Sequence, residues 1–280
     1  MMRLGMHADN MRTISQSFDA ALDMGQKHGL EFTEAGFTQG NYYVQWMGYE
    51  PSVSSIQNPI EIRRKCEAKG LPFSALDCAF PMFSYEGANY GVHYMQQGIM
   101  YGKLLGCTKI DSTDSAFKDP DLTLDEIWDI TIRNYRAILK WAEDFDMIIC
   151  IEPHGELTNN VEYMYKLFSY FESEHLRLNM DTGNTFIAGN DPLEFLKPLR
   201  KYLVHAHIKD VSAELAAALR GEDTGIACSE SPIGEGVNAQ NISDIIKYLK
   251  ETNWSGDLSI ECSGTEENIR KSVEWLRPQI

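Results

Sequence analysis

What most constrains this chain is an alternation. Eight apolar runs of six to nine residues are each followed by a segment with helical spacing. The runs are RLGMHAD (3–9), EFTEAGF (31–37), PFSALDCAF (72–80), TKIDSTD (108–114), MIICIEPH (147–154), LRLNMD (176–181), LVHAHIKD (203–210) and DLSIEC (257–262). Their helical partners cover 13–29, 58–70, 91–106, 122–145, 161–171, 192–199, 241–253 and 265–277. In the first partner, Ile14, Phe18, Ala21, Leu22 and Gly25 fall on one face, and Gly29 supplies a stop. Parallel strands need a crossover between neighbours, usually a helix, so the pattern predicts a parallel sheet. Eight units in about 250 residues match a closed α/β architecture, a (β/α)8 TIM barrel forming a single domain over residues 1–280. The competing arrangement is an open doubly wound sheet, but the first run is not followed by the GxGxxG turn of a dinucleotide fold.

In such a barrel the chemistry gathers at the C-terminal rim of the strands, so polar residues closing each apolar run become candidates. Those residues are His7 and Asp9, Glu34, Asp77, Asp111, Glu152 and His154, Asp181, His205, His207 and Asp210, and Glu261. The last four runs therefore deliver Glu152, Asp181, His207 and Glu261 in succession. Each of these alone could cap a helix or pair with a Lys or Arg. Together they are different, because three carboxylates in one place raise each other's pKa unless a cation sits among them. Oxygen-rich ligands with one imidazole suit Mn2+ best, with Mg2+, Co2+ or Zn2+ as alternatives. The six cysteines are scattered without a CxxC pair, which points to buried thiols in a reducing compartment rather than a zinc or disulfide framework.

Charge narrows the partners. A formal charge of −16 with no basic cluster repels nucleic acid and anionic membrane surfaces. No apolar run approaches the roughly 20 residues of a membrane span, and the start MMRLGMHADN is too short and polar for a signal peptide, so the expected location is cytoplasmic.

The strand-end series IEPH, NMDTGN, HAHIKD and SIEC resembles the xylose-isomerase-like sugar isomerase/epimerase superfamily, most strongly over residues 147–277. That family also includes hydroxypyruvate isomerases, inosose dehydratases and ketose 3-epimerases. The resemblance implies one divalent ion held by Glu152, Asp181, His207 and Glu261, with His205 behind the ligands or simply satisfied within the barrel. It implies proton abstraction beside a sugar carbonyl, the resulting enolate being stabilised by the ion; the proton's fate separates isomerase, epimerase and lyase. One departure bears on that choice. Ketose 3-epimerases carry a His three places after the sixth-strand Asp, where this chain has Asn184. His154, expected on the same strand face as Glu152, becomes the preferred acid/base, with Glu152 or Glu261 as alternatives. The EPH and DTGN patterns also resemble the large subunit of C-glycoside deglycosidases acting on 3-oxo-glycosides, which would require a small partner subunit. A homo-oligomer is the family's usual alternative.

His7, Glu34, Asp77, Asp111, Asn184 and Lys209 are the expected substrate contacts, and the aromatic loop GNYYVQWMGYE (40–50) could cover a sugar ring. Glu156 is assigned to the start of the following helix, and SESPIGEGVNAQN (229–241) to structure. No GxxxxGK[ST] loop exists, so a neutral sugar is favoured over a sugar phosphate. Two further readings stay open: a non-catalytic sugar-binding barrel, and a DNA-repair endonuclease of similar fold. The second fits poorly with seven His and the acidic charge.

Overall fold

The computed structural model describes residues 1–11, 17–39, 51–114, 119–221, 225–226 and 229–280. Its strands are β1 (Arg3–His7), β2 (Thr33–Thr38), β3 (Ser52–Ser54), β4 (Phe73–Pro81), β5 (Lys109–Thr113), β6 (Ile148–Ile151), β7 (Leu176–Asp181), β8 (Leu203–Ile208) and β9 (Asp257–Ile260). All pairings are parallel and run β1-β9-β8-β7-β6-β5-β4-β2, and a β1–β2 pairing closes the ring. Eight strands thus form the expected barrel. The short β3 lies outside it, paired to Gly36–Thr38 of β2. Its three residues, with only Val53 buried, are too few to register as alternation.

Helices cover the outside. The longest, Leu124–Phe145, opens on a capping box in which Glu126 N–H donates to Thr123 Oγ1 and Thr123 N–H donates to Glu126 Oε2. Ile127, Thr131, Ile132, Tyr135, Ile138, Leu139 and Ala142 form its buried stripe, the i, i+4 spacing that faces a sheet. Inside the ring, the N-terminal strand ends are closed by charge. Asp257 accepts from Lys109 Nζ at 2.7 Å and from Arg3 Nε at 2.8 Å, both residues being the first of their strands. Burial pushes the Asp257 carboxyl up, but Lys109 more than offsets it and holds the group below its ordinary range.

Five runs end earlier than their sequence suggests. β1 stops at His7 rather than Asp9, β5 at Thr113 rather than Asp114, β6 at Ile151 rather than His154, β8 at Ile208 rather than Asp210, and β9 at Ile260 rather than Cys262. In each case the polar residues lie just past the last ladder pair, where the chain bends into the rim loops. Asp9 sits instead in a 3-10 turn, Ala8–Met11. Two helices escape the periodicity, Thr182–Ile187 and Ala213–Leu219. The first is a six-residue element capped by Asp181, and the second has no buried residues and so no apolar stripe to detect. Cys66, Cys78, Cys107, Cys150 and Cys262 are free and buried, as expected. Among the described residues no helix is long and apolar enough to cross a membrane.

Candidate metal centre

Ladder register sets the four candidate ligands side by side. Asp181 closes β7 opposite His207 of β8. Just past the neighbouring strands, Glu152 N–H still donates to Ser112 O and Glu261 N–H to Ile208 O, which anchors both residues to the barrel rim. One ligand atom from each of Glu152, Asp181, His207 and Glu261 lies within 4.8 Å of all the others. That spread suits a common centre at bond lengths of about 2.0–2.6 Å. His207 Nδ1 is 3.2 Å from Glu152 Oε1 and 3.4 Å from Glu261 Oε2. Asp181 Oδ2 is buried with the Lys209 ammonium 3.0 Å away, and Glu261 Oε2 is buried with His207 Nδ1 3.4 Å away; neither counts a hydrogen bond among the described residues. Carboxylate oxygens crowded together out of water cost free energy, and a divalent cation would offset that cost.

Lys209 is the nearest fixed positive charge. Its ammonium lies 3.0 Å from Asp181 Oδ2, 3.0 Å from Glu261 Oε1 and 3.0 Å from Asn184 Oδ1. Gly183 makes this possible, since a Cβ there would fall 2.6 Å from the Lys209 stem. Asn184 also donates to Glu152 Oε1 at 3.2 Å, so its amide joins a candidate ligand to the lysine. Protonation follows burial and charge. Burial pushes Asp181 up to about 8, Lys209 only partly opposing it and Glu261 adding to it. Burial pushes His207 down, but the carboxylates of Glu152 and Glu34 overcome this and hold it well above its ordinary value. For Glu152 and Glu261 the burial penalty is overcome in the other direction, by His154 and His207 for the former and by Lys209 and His207 for the latter. The cluster therefore holds protons on Asp181 and His207 that a divalent ion would displace.

His154 was expected to share a strand face with Glu152. It lies three residues beyond the end of β6, yet its Nε2 still reaches Glu152 Oε1 at 3.1 Å. Burial lowers its pKa and Glu152 outweighs that, raising it to about 9. A residue the sequence reading passed over holds this loop. Asp114 Oδ1 accepts from Gly155 N–H and Thr158 Oγ1, both at 2.7 Å, and its Oδ2 accepts from Leu157 N–H at 3.1 Å and Thr158 N–H at 3.0 Å. Thr158 Oγ1 in turn accepts from His154 N–H at 2.8 Å. Only its place at the end of an apolar run marked it. Replacing Asp114 with Asn keeps the shape and forfeits acceptor sites, which should lower unfolding free energy by about 1–3 kcal/mol in a denaturant titration.

Of the remaining candidates, His7 is buried as well, with its Nδ1 2.8 Å from Asp9 Oδ1, its Nε2 3.6 Å from Asp77 Oδ2 and its ring centroid 5.7 Å from that of His207. Glu34 and Asp111, expected to touch substrate, are buried against other side chains. His205 Nε2 donates to Glu34 Oε2 at 2.7 Å, which sets His205 against Glu34 rather than among the four candidate ligands. Asp111 Oδ1 accepts from Asn179 Nδ2 at 3.2 Å. With His205 and His207, these two carboxylates form a second compact group. The segment 229–241 is organised by Asp210, which accepts from Gly234, Gly236 and Asn238 N–H at 2.9 to 3.0 Å. The aromatic loop 40–50 lies outside the described residues.

Comparison with known proteins bears on the fold and the family. Inosose dehydratase from Clostridium botulinum (strain Eklund 17B / Type B) is 27% identical over 156 residues, 54% of this chain and 52% of that protein. The chain thus spans about half the length of the curated relatives it matches. Among solved structures, a D-tagatose 3-epimerase-like protein superposes with a TM-score of 0.76 at 18% identity, covering 99% of this chain and 97% of that one. The IOLI protein with a bound zinc atom gives 0.74 at 17% identity, covering 99% and 96%. At these identities the structural likenesses speak for the fold. A family profile described as xylose isomerase-like TIM barrel matches residues 13–279, nearly the whole chain, and the protein belongs to that family.

Proposed function

We propose that this protein removes a proton from the carbon beside the carbonyl of an uncharged, sugar-like polyol. One divalent cation, Mn2+ by preference for so oxygen-rich a set, would be held by Glu152, Asp181, His207 and Glu261. The observation that carries this reading is the gathering of those four side chains within 4.8 Å, with His154 Nε2 at 3.1 Å from one of them. When bound, the cation supplies a Lewis acid for the charge that develops on the carbonyl oxygen.

The side chains do the rest. His154 is the most open imidazole of the cluster, with a side chain 17% exposed against 3% for His207, so it is the one a substrate can reach. In the bare protein Glu152 holds a proton on it. A cation engaging the Glu152 charge would weaken that grip and leave the imidazole free to act as a base near neutral pH. Its Nε2 takes the α-proton, the C–H electron pair enters the enolate, and the β-hydroxyl leaves with a proton from the imidazolium, so one water is lost. One base suffices for this sequence. An epimerase needs a second group on the opposite face, a role that would fall to Glu261, and that is the second reading. The dehydratases among the sequence relatives favour the first. Lys209 supports an uncharged substrate, because its ammonium already serves Asp181, Glu261 and Asn184 and has no contact to spare for a phosphate or carboxylate.

The test is solvent-deuterium exchange. Mn2+-loaded protein is incubated in D2O with an inosose, a 3-oxo-glucoside and a ketohexose. Loss of one water from one of them marks the lyase, and a deuterated diastereomer marks the epimerase. Absence of both, and of α-deuterium in every substrate, would refute the reading.

A further inference from the structure

Glu34 lies behind the metal centre, wholly buried, on the far side of His207 from Glu152 and Glu261. Its Oε1 is 3.1 Å from His207 Nε2, while His207 Nδ1 points at Glu152 Oε1 and Glu261 Oε2. The same carboxylate accepts from His205 Nε2 through its other oxygen, which fixes its plane. Oε1 has no hydrogen bond of its own among the described residues, so the His207 ring is the partner left to it. An imidazole can give only one nitrogen lone pair to a metal, and a carboxylate on the other nitrogen decides which one, while making the ring a stronger donor.

We propose that Glu34 is a positioning residue that keeps the His207 proton on Nε2 and presents Nδ1 to the cation. This rests on the metal-centre reading and adds the side chain that orients its only imidazole ligand. His205 acts through Glu34 by occupying Oε2 and so reserving Oε1. Asn179 Nδ2 donates to Asp111 Oδ1 at 3.2 Å beside the ring.

Two measurements decide the matter. In 15N-histidine-labelled, Zn2+-loaded protein, the metal-shifted nitrogen of His207 is expected to be Nδ1, with a slowly exchanging, downfield Nε2–H; a metal shift on Nε2 would overturn the assignment without any variant. In Glu34→Gln the Zn2+ dissociation constant, measured with the metal alone by competition with a chelator, is expected to rise about 10–100-fold, and the Nε2–H resonance to move upfield and exchange faster. An unchanged dissociation constant and resonance would sink the proposal while leaving the metal centre standing. Two ions per wild-type chain would mean that Glu34, Asp111 and His205 hold a cation themselves, which also overturns it. No ion in the wild type would remove the metal centre and this proposal together.

Discussion

A His207→Ala chain is expected to bind Mn2+ at least about 100-fold more weakly than the parent, the upper end of what loss of even a supporting partner costs such sites. His207 is the only imidazole among the four candidate ligands, and its Nδ1 stands between Glu152 Oε1 and Glu261 Oε2. Removing it leaves three carboxylates close together with only Lys209 and His154 to compensate them. It also strips Glu34 Oε1 of its one facing donor. A buried acceptor without a partner costs about 1–3 kcal/mol, so a drop in unfolding free energy should accompany the loss of affinity. Calorimetric titration with Mn2+, paired with a denaturant curve, separates the two effects. Undiminished affinity in a folded His207→Ala chain would exclude His207 as a ligand.

The second large effect belongs to His154. Substituting Ala is expected to lower α-proton exchange by about 10^2- to 10^4-fold, the usual contribution of a positioned acid/base, while Mn2+ affinity changes little. The ring stands beside Glu152 and is tethered through its backbone by Thr158 and Asp114, so its removal leaves the four ligands in place. The parent's rate should rise with pH as His154 loses its proton and then level off; in the variant that rise should be absent. Equal exchange rates in the two proteins would transfer the base role to Glu261 or Glu152.

Much of this arrangement could be read from the chain before folding, and the places where it could not have physical reasons. The run LRLNMD coincides with β7 and the segment 192–199 with its helix, because Asp181 is the last paired residue and Asp191 and Pro192 form a plain helix start. At β6 and β9 the extended pattern outruns the ladder. Glu152 and Glu261 keep one backbone bond each to a neighbouring strand, which prolongs the apolar–polar rhythm into the loop. The four candidate ligands were legible because barrel topology turns strand order into spatial neighbourhood. What Glu34 touches was not, since its partner His205 is 171 residues away and period-two patterning says only that a side chain faces inward. Asp114 was hidden differently: its acceptor work is done on backbone amides of 155–158, which carry no signature in residue type. The helix Thr182–Ile187 follows the same logic, being set by Asp181 capping Gly183 and Asn184 rather than by an apolar stripe.

If these strand ends grip one divalent cation, counting the ion is the most direct test. Purified chain equilibrated with Mn2+, freed of excess and analysed for metal should retain one ion per chain, and retention should strengthen as pH rises. Asp181, pushed up to about 8, and His207, held above its ordinary value, must both give up protons to bind it, so acid competes with metal and alkali favours it. Asp181→Asn should abolish that retention. A chain that holds no ion, or holds one equally well with Asp181 replaced and at every pH, would contradict the account.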